Sequence, residues 1–362
     1  MGVAPVTLPF VRTRPPRWAL RAAVVVALVT LTAQAGSPGH AAPDGAAPAA
    51  AATTSAAAAL PTTSAAYGGR PPAPFAASAD DVLSRKPSWP LPADCSVPQA
   101  TPSRARAPLG DGFSAITTLG AHLRVRRAYT VYAGGLTPGD GLPDVRPCDQ
   151  LLWDTITVAV PKDLRAQITE LVIFDGSDSN QAGELLGEVE PSVHDHARWR
   201  LALRVDDTDP HELLITIAHE IAHLLSLGPD QVAYSYTDDE CPTYLTFTGC
   251  LNASSMLLTF LDDTWSMPLF REWARIDAVE SDTTRQSRLD AFYDKHHHQF
   301  VTPYAVTSPE EDFAESYASW CVDGADAGGD GAAKVEWMGD SAAVALGSVD
   351  GCGVLRDLAR RS

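Results

Sequence analysis

One helix, predicted over residues 210–227, constrains the fold more than any other part of the sequence. Asp209 is suited to cap it, and Pro210 is suited to its first position. From Leu213 onward nearly every residue is apolar, until Gly228 ends the pattern. Because a helix that is apolar on almost every side has to be buried, the rest of the domain must pack around this helix.

Three ionisable residues, His219, Glu220 and His223, interrupt the apolar run. Helical spacing puts the two histidines on one face, one turn apart, where both imidazoles can reach the same zinc ion. Glu220, beside the first histidine, is suited to act as a general base. Burying three ionisable groups is costly unless a metal and hydrogen-bonding partners satisfy them. The pattern therefore favours a zinc site over ordinary core histidines.

A catalytic zinc ion needs a third protein ligand and an open coordination position. The residues after His223 lack the Gly and His of the best-known extension of this motif, so we expect a carboxylate on another helix. A Ser-Pro pair at 308–309 predicts such a helix, and Glu311 and Glu315 follow on one face of it. One of them can bind zinc while the other accepts the N–H of a ligand histidine. The alternative is an acidic first turn that complements the helix dipole.

The H-E-x-x-H pentapeptide at 219–223 and the E-x-F-A-E pattern at 311–315 resemble those of the gluzincin zinc metallopeptidases, in particular their anthrax lethal factor-like branch. The resemblance implies that Glu311 is the third zinc ligand and that Glu315 supports a ligand histidine. It also implies that Tyr304, seven residues before Glu311, stabilises the tetrahedral intermediate.

For the whole domain, the resemblance implies an α+β, zincin-like metallopeptidase fold with a small mixed sheet, the motif helix and the glutamate-ligand helix. The implied reaction is hydrolysis of a peptide bond by a zinc-activated water, with Glu220 as general base. Zn²⁺, one catalytic ion, is the expected cofactor, and a peptide or protein is the expected substrate.

Two other functions remain open at this point. One is a zinc-dependent hydrolase of non-peptide amides, and the other is a catalytically inactive, zinc-binding extracellular module. The intact Glu220 argues against the inactive module, because structural zinc has no use for a general base. The formal net charge of -18 argues against nucleic acid or an anionic membrane as a partner. We expect a monomer.

The chain is predicted to have three parts. Residues 1–35 have the arginine-rich start, the short apolar run and the Ala33-Gln34-Ala35 cleavage site of a secretory signal peptide, although an uncleaved anchor is the alternative. Residues 36–78 are rich in Ala, Pro and Thr and are predicted to be a disordered linker or pro-segment. Residues 79–362 form the catalytic domain. The protein should be secreted and extracellular, with no stable membrane association after signal cleavage.

Export permits disulfide bonds, and the six cysteines all follow the predicted signal peptide. Sequence alone cannot choose among their pairings. The simplest local pairing joins neighbours along the chain: Cys95–Cys148, Cys241–Cys250 and Cys321–Cys352.

Four segments are predicted to be strands from their Val, Ile, Thr and aromatic content: Leu123–Ala133, Thr155–Val160, Leu171–Asp175 and Arg198–Val205. The last one is expected to be half-exposed and to hold an extended substrate by main-chain pairing. A further helix, Met267–Asp277, is predicted in the long segment between the two motif helices, where it should line the cleft.

Overall fold

The computed structural model of the chain describes residues 89–91, 95, 124–138, 144–175, 186–192, 194–205, 209–234, 241–324, 329–342 and 349–362. All of them belong to the same compact unit. The predicted signal peptide (1–35) and linker (36–78) lie outside the described residues. The described part is α+β, with a small mixed sheet and several helices, as the sequence predicts at this coarse level.

The main sheet has five strands in the order β2-β1-β3-β5-β4. Strand β3 pairs in parallel with β5, whereas the β1–β2, β1–β3 and β4–β5 pairs are antiparallel. Strand β4 therefore lies at one edge of the sheet. The strands are β1 Arg124–Tyr132, β2 Gly135–Pro138, β3 Ile168–Asp175, β4 Gly187–Pro191 and β5 Trp199–Arg204.

Three of the four predicted strands are present, as β1, β3 and β5, but β5 is buried and not half-exposed as predicted. On one face of β5, Leu201 and Leu203 join the main core. On the other face, Ala202 packs with Val172 and Phe174 of β3. Its alternating polar residue, Arg200, is buried too, because it forms an ion pair with Glu190 of β4.

The fourth predicted strand, Thr155–Val160, is wrong, because these residues continue helix α1, Pro147–Ala159. Pro147 occupies the first turn, where proline favours helix initiation. Leu152, Trp153 and Ile156 then form a buried stripe at helical spacing. Burial of that stripe outweighs the weak strand preference of the Thr, Ile and Val residues at the end of the segment.

The predicted motif helix is confirmed as α3, Pro210–Leu227, which follows a one-turn helix α2, Lys162–Arg165. The Asp209 side chain accepts hydrogen bonds from the backbone N–H groups of His211 and Glu212, and Gly228 follows the last turn. All but four of its residues are buried. A short pair of strands comes next, β6 Val232–Ala233 and β7 Cys250–Leu251.

Serine caps four of the later helices, α4 Met256–Thr264, α5 Met267–Asp277, α6 Asp282–His296 and α7 Pro309–Val322. In each case the serine side chain accepts a hydrogen bond from a backbone N–H of the first turn, which satisfies a donor that would otherwise lack a partner. The predicted bounds of α5 and the predicted start of α7 are confirmed. In the described residues that follow, the α-helices are α8 Ala332–Trp337 and α9 Val349–Ala359.

The three disulfide bonds connect Cys95 with Cys148, Cys241 with Cys250, and Cys321 with Cys352, so the local pairing is confirmed. They fit an extracellular or secreted protein, because such bonds persist in oxidising compartments. Among the described residues, no helix has the length and apolarity needed to cross a membrane.

Candidate metal centre

Helix α3 brings the two motif histidines together, as its spacing predicts. His219 and His223 are both buried, and their Nε2 atoms are 3.1 Å apart. Two imidazole nitrogens that both point into the same small space need a proton or a cation between them. Helix α3 therefore supplies two nitrogen atoms that are already close enough to bind the same metal ion.

Helix α7 packs along α3 and supplies the carboxylate. Ser308 caps this helix by accepting a hydrogen bond from the backbone N–H of Glu311. Oε2 of Glu311 lies 3.0 Å from Nε2 of His219 and 3.3 Å from Nε2 of His223. The three ligands expected from the sequence thus meet at one point.

The three ligand atoms fit a small metal ion. Ligands at about 2.0–2.1 Å from a tetrahedral zinc ion lie about 3.3 Å from one another. The three separations observed here, from 3.0 to 3.3 Å, are close to that value. His219, His223 and Glu311 can therefore hold a metal ion with little rearrangement.

Protons stabilise this group of side chains when no metal is bound. Burial alone would raise the pKa of Glu311, but the charge on His223 and hydrogen bonds from both histidines hold that pKa well below its usual range. Burial alone would lower the pKa of His219, but its contacts with Glu311 and Glu315 hold it well above its usual range. A metal ion would replace these protons, so binding should release them.

Glu315 supports His219 from the side away from the other ligands, as expected. Its Oε1 lies 2.7 Å from Nδ1 of His219, and its Oε2 accepts a hydrogen bond of 2.7 Å from Thr302. This arrangement fixes the tautomer that leaves Nε2 free to bind a metal. Thr302 has no signal in the sequence, because a single threonine in a loop forms no motif.

We predict that Glu315→Gln weakens zinc binding by about 10- to 100-fold, because the neutral amide orients His219 less well and adds no negative charge. Competition with a chelator of known affinity measures the change. The exposed Glu336 provides a matched control, and Glu336→Gln should bind zinc as the wild type does. Equal affinities for Glu315→Gln and the wild type would contradict a supporting role for Glu315.

Glu220 lies at the junction of α3 and the edge strand β4. It is 4% exposed, and its carboxylate accepts a hydrogen bond from the backbone N–H of Val189. Burial raises the pKa of Glu220, and the two histidines oppose that rise. A buried carboxylate with a raised pKa is better suited to accept a proton near neutral pH.

Strand β4 can approach α3 this closely only because residue 187 is glycine. A Cβ atom at Gly187 would lie 2.6 Å from Oε1 of Glu220 and 2.7 Å from Cγ2 of Thr216, which is too close. Nothing in the sequence marks this glycine, since the contact joins two elements that are distant along the chain.

The prediction that Arg198–Val205 holds the substrate is wrong, because β5 lies inside the sheet between β3 and β4. The edge strand on this side of the sheet is β4, and no other strand among the described residues pairs with its outer edge. At one end of β4 the backbone N–H of Arg204 donates to the carbonyl of Leu186, and at the other end the backbone N–H of Ser192 donates to the carbonyl of Arg198. Every second residue of β4, counted from Leu186, therefore directs its main-chain groups toward β5, and the residues between them direct theirs away from it. That alternation turns the main-chain groups of Gly187 and Val189 toward the open edge, beside Glu220.

Tyr304 lies near the proposed ligands, as expected. It is in a 3₁₀ turn just before α7, with its ring centroid 6.0 Å from that of His219. The side chain is 52% exposed, and its hydroxyl forms no hydrogen bond with the described residues. The charge of Glu311 and partial burial raise the pKa of Tyr304, so the hydroxyl remains a donor.

Glu188 is a second carboxylate near the centre, and it was not among the residues predicted from the sequence. Burial raises its pKa to about 8, with further increases from Glu190 and Glu220 and an opposing effect of Arg200. Its Oε2 atom is buried without a hydrogen-bond partner. Within a short strand of ordinary composition, nothing in the sequence marks this residue.

We predict that Glu188→Gln stabilises the metal-free protein at about pH 9, by roughly 1–3 kcal/mol in the free energy of unfolding, and has little effect at about pH 4. The folded-state pKa of about 8 lies above the ordinary value of 4.5. Burial of protonated Glu188 is therefore tolerated fully below pH 4.5, and the stability that depends on this proton is lost as the pH rises through 8. Denaturant unfolding at both pH values, with Glu336→Gln as control, measures the difference. An equal effect at the two values would contradict the prediction.

The other two acidic residues at the start of α7 are not ligands. Glu310 is turned away and accepts a hydrogen bond of 3.0 Å from the Tyr244 hydroxyl. Asp312 pairs with the buried Lys334 and accepts a hydrogen bond from Trp265. These contacts fix the rotation of α7 about its axis, which directs Glu311 toward α3.

Comparison of the chain with protein-family models, curated proteins and solved structures gives no match.

Proposed function

We propose that the protein is a secreted zinc metallopeptidase of the gluzincin type. The observation that carries this proposal is the position of Glu220, which lies between three converging ligand atoms and the open edge of a β-strand. A structural zinc site would need neither a buried carboxylate beside its ligands nor a free strand edge.

The donor set favours zinc. Two imidazole nitrogens and one carboxylate oxygen, with a position left open, are the usual ligands of a catalytic zinc ion in peptidases. When bound, zinc supplies Lewis acidity, which activates a water molecule and polarises the carbonyl that is attacked. His219, His223 and Glu311 would hold the ion, and Glu315 would orient His219.

Glu220 is proposed to hold and move the proton. Its carboxylate accepts a proton from the attacking water and later delivers it to the leaving amine. The hydrogen bond from Val189 keeps the carboxylate aimed into the cleft, and burial excludes the bulk water that would lower its basicity.

Tyr304 is proposed to donate a hydrogen bond to the developing oxyanion. Its hydroxyl has no competing partner among the described residues, and its raised pKa keeps it protonated. A single donor of this kind typically contributes about 2.7–4 kcal/mol to the stability of the transition state.

A peptide is the substrate that the open edge of β4 suits best. An extended chain can add to the sheet there by pairing with the main-chain groups of Gly187 and with the carbonyl of Val189, whose N–H already donates to Glu220. Such pairing would place a backbone carbonyl next to Glu220. A small non-peptide amide could not use this edge, and we therefore favour a peptidase over an amidase.

Two features of the whole protein form part of the proposal. The α+β unit is proposed to be zincin-like, because the helix that carries the two histidines packs against both an edge strand and the helix that carries Glu311. The protein is proposed to be secreted, because three disulfide bonds accord with the signal peptide predicted at 1–35.

We predict that Gly187→Ala reduces kcat/KM for a peptide by about 10²-fold, because the added methyl group displaces Glu220, and small displacements of catalytic groups have effects of this size. Zinc affinity should stay within a few-fold of the wild type. Gly353→Ala is the control, since a Cβ at that position meets nothing within 4 Å. Wild-type activity in Gly187→Ala would contradict the proposed role of this contact.

The proposal is tested by incubating the purified full chain with a mixed-sequence peptide library and reading the products by mass spectrometry. We expect cleavage that stops on chelation and resumes when zinc is added back. A zinc-loaded protein that leaves every peptide intact would contradict the proposal. Release of product from non-peptide amides in that case would favour the amidase, and inactivity on both would favour the binding module.

A further inference from the structure

A cavity of about 330 Å³ adjoins the candidate metal centre, and Glu311 forms part of its wall. Its volume lies within the ordinary range for ligand pockets, about 300–1,000 Å³. Helices α5 and α6, the start of α7 and the segment 244–247 enclose it. Because Glu311 is a proposed metal ligand, a substrate side chain that enters this cavity would belong to a residue near the scissile bond.

The walls of the cavity are of two kinds. Tyr244, Trp273 and Leu289 supply flat aromatic and aliphatic surface. Asp277, the last residue of α5, and Glu310, in the first turn of α7, supply carboxylates. A lining that combines an apolar wall with carboxylates suits a long side chain that has an apolar stem and a cationic end.

The wall of the cavity holds more acidic side chains than basic ones. The one basic residue among those that line it is Arg285, whose guanidinium donates to Asp282 at 3.0 Å and to the backbone carbonyl of Val279 at 3.4 Å. Asp282 lies outside the cavity, so these hydrogen bonds of Arg285 are made to groups that do not line it. The cavity would therefore favour an additional cation.

Asp277 is the clearest sign of this imbalance. Its carboxylate accepts no hydrogen bond from the described residues. Burial raises its pKa, and the charge of Arg285 opposes that rise only in part. A half-buried carboxylate without a hydrogen-bond donor gains most from a ligand that brings both a positive charge and N–H groups.

We propose that this cavity binds a lysine or arginine side chain of the peptide substrate, at a position next to the scissile bond. The stem would lie along Tyr244 and Trp273, with a cation–π contribution from the rings, and the charged end would reach Asp277 and Glu310. This inference rests on the proposed peptidase function and names its substrate class.

The test uses peptides of one sequence that differ only at the residues flanking the cleaved bond, which carry lysine, arginine, norleucine or glutamate. Wild type should prefer lysine or arginine to norleucine by roughly 10- to 100-fold in kcat/KM, the range expected for one charged hydrogen-bonded pair. In Asp277→Asn the ratio of lysine to norleucine should fall by roughly tenfold. This ratio is independent of the fraction of folded enzyme. Asp294→Asn, the same change at an exposed position of α6, should keep the wild-type ratio.

A second measurement separates this inference from the proposed function. Zinc-loaded Glu220→Gln should bind the lysine peptide more tightly than the norleucine peptide, by calorimetry, whether or not wild type cleaves either one. Cleavage by wild type with no preference for a basic residue would overturn the inference and leave the peptidase proposal intact. Equal affinities of Glu220→Gln for the two peptides would overturn it even if wild type proves inactive, and inactivity itself would count against the proposed function.

Discussion

Replacing Glu220 by glutamine is expected to reduce kcat/KM for a peptide substrate by about 10³-fold, within the range of 10²–10⁴ typical for a general base. The side chain keeps its size and can still accept the hydrogen bond from Val189, but it can no longer take a proton from water. Zinc content should stay at one ion per chain, because Glu220 is not among the three converging ligands. Steady-state kinetics and metal analysis of the same preparation measure both effects.

The matched control for this experiment is Glu212→Gln. Glu212 lies in the first turn of the same helix and is exposed, so the change in charge and shape is the same while the position is remote from the ligands. Glu212→Gln should have wild-type kinetics. If Glu220→Gln cleaved peptides at the wild-type rate, Glu220 would not be the base, and its burial beside the histidines would need another explanation.

The second large effect is expected at Glu311. Glu311→Gln should weaken zinc binding by roughly 10³-fold, because a neutral amide replaces the only anionic ligand. Activity at limiting zinc should be lost with it. Its neighbour Glu310 offers a direct comparison, since Glu310 accepts a hydrogen bond from Tyr244 and does not face the histidines.

Glu310→Gln should bind zinc with wild-type affinity, because the amide oxygen can still accept the hydrogen bond from Tyr244. Titration of the two variants against a chromogenic chelator distinguishes them. If Glu310→Gln lost zinc and Glu311→Gln retained it, the carboxylate ligand would be assigned to the wrong residue. That result would also require α7 to be rotated by about a quarter turn from its present position.

The main features of the site could be predicted because its chemistry lies on two helices with strong local signals. A cap, an N-terminal proline and a regular spacing fix which residues of α3 and α7 share a face. The spacing within each helix then places His219 next to His223, and Glu311 next to Glu315. The need for a third zinc ligand predicted that one of these two carboxylates would meet the histidines, and the resemblance to a known family chose Glu311, which agrees with its contacts to both histidines.

The features that could not be predicted depend on contacts between distant parts of the chain. Which strand lies at the edge of the sheet is decided by the pairing order, and the sequence of β5 gives no sign that β4 covers it. The requirement for glycine at 187 arises only when β4 meets α3. Glu188 and Asp277 likewise acquire their unusual environments from elements that are separate in sequence. Helix α1 differs from its predicted strand for a related reason, since burial in the core outweighs local preference.

The most direct measurement is an anomalous difference map, recorded at the zinc absorption edge from crystals of the zinc-loaded full chain. We predict one strong peak at about 2.0–2.2 Å from Nε2 of His219, Nε2 of His223 and a carboxylate oxygen of Glu311. The remaining position should be open to the cleft beside Glu220. A zinc peak bound by other residues, or no peak among these three side chains, would contradict the proposed metal centre and the peptidase mechanism that depends on it.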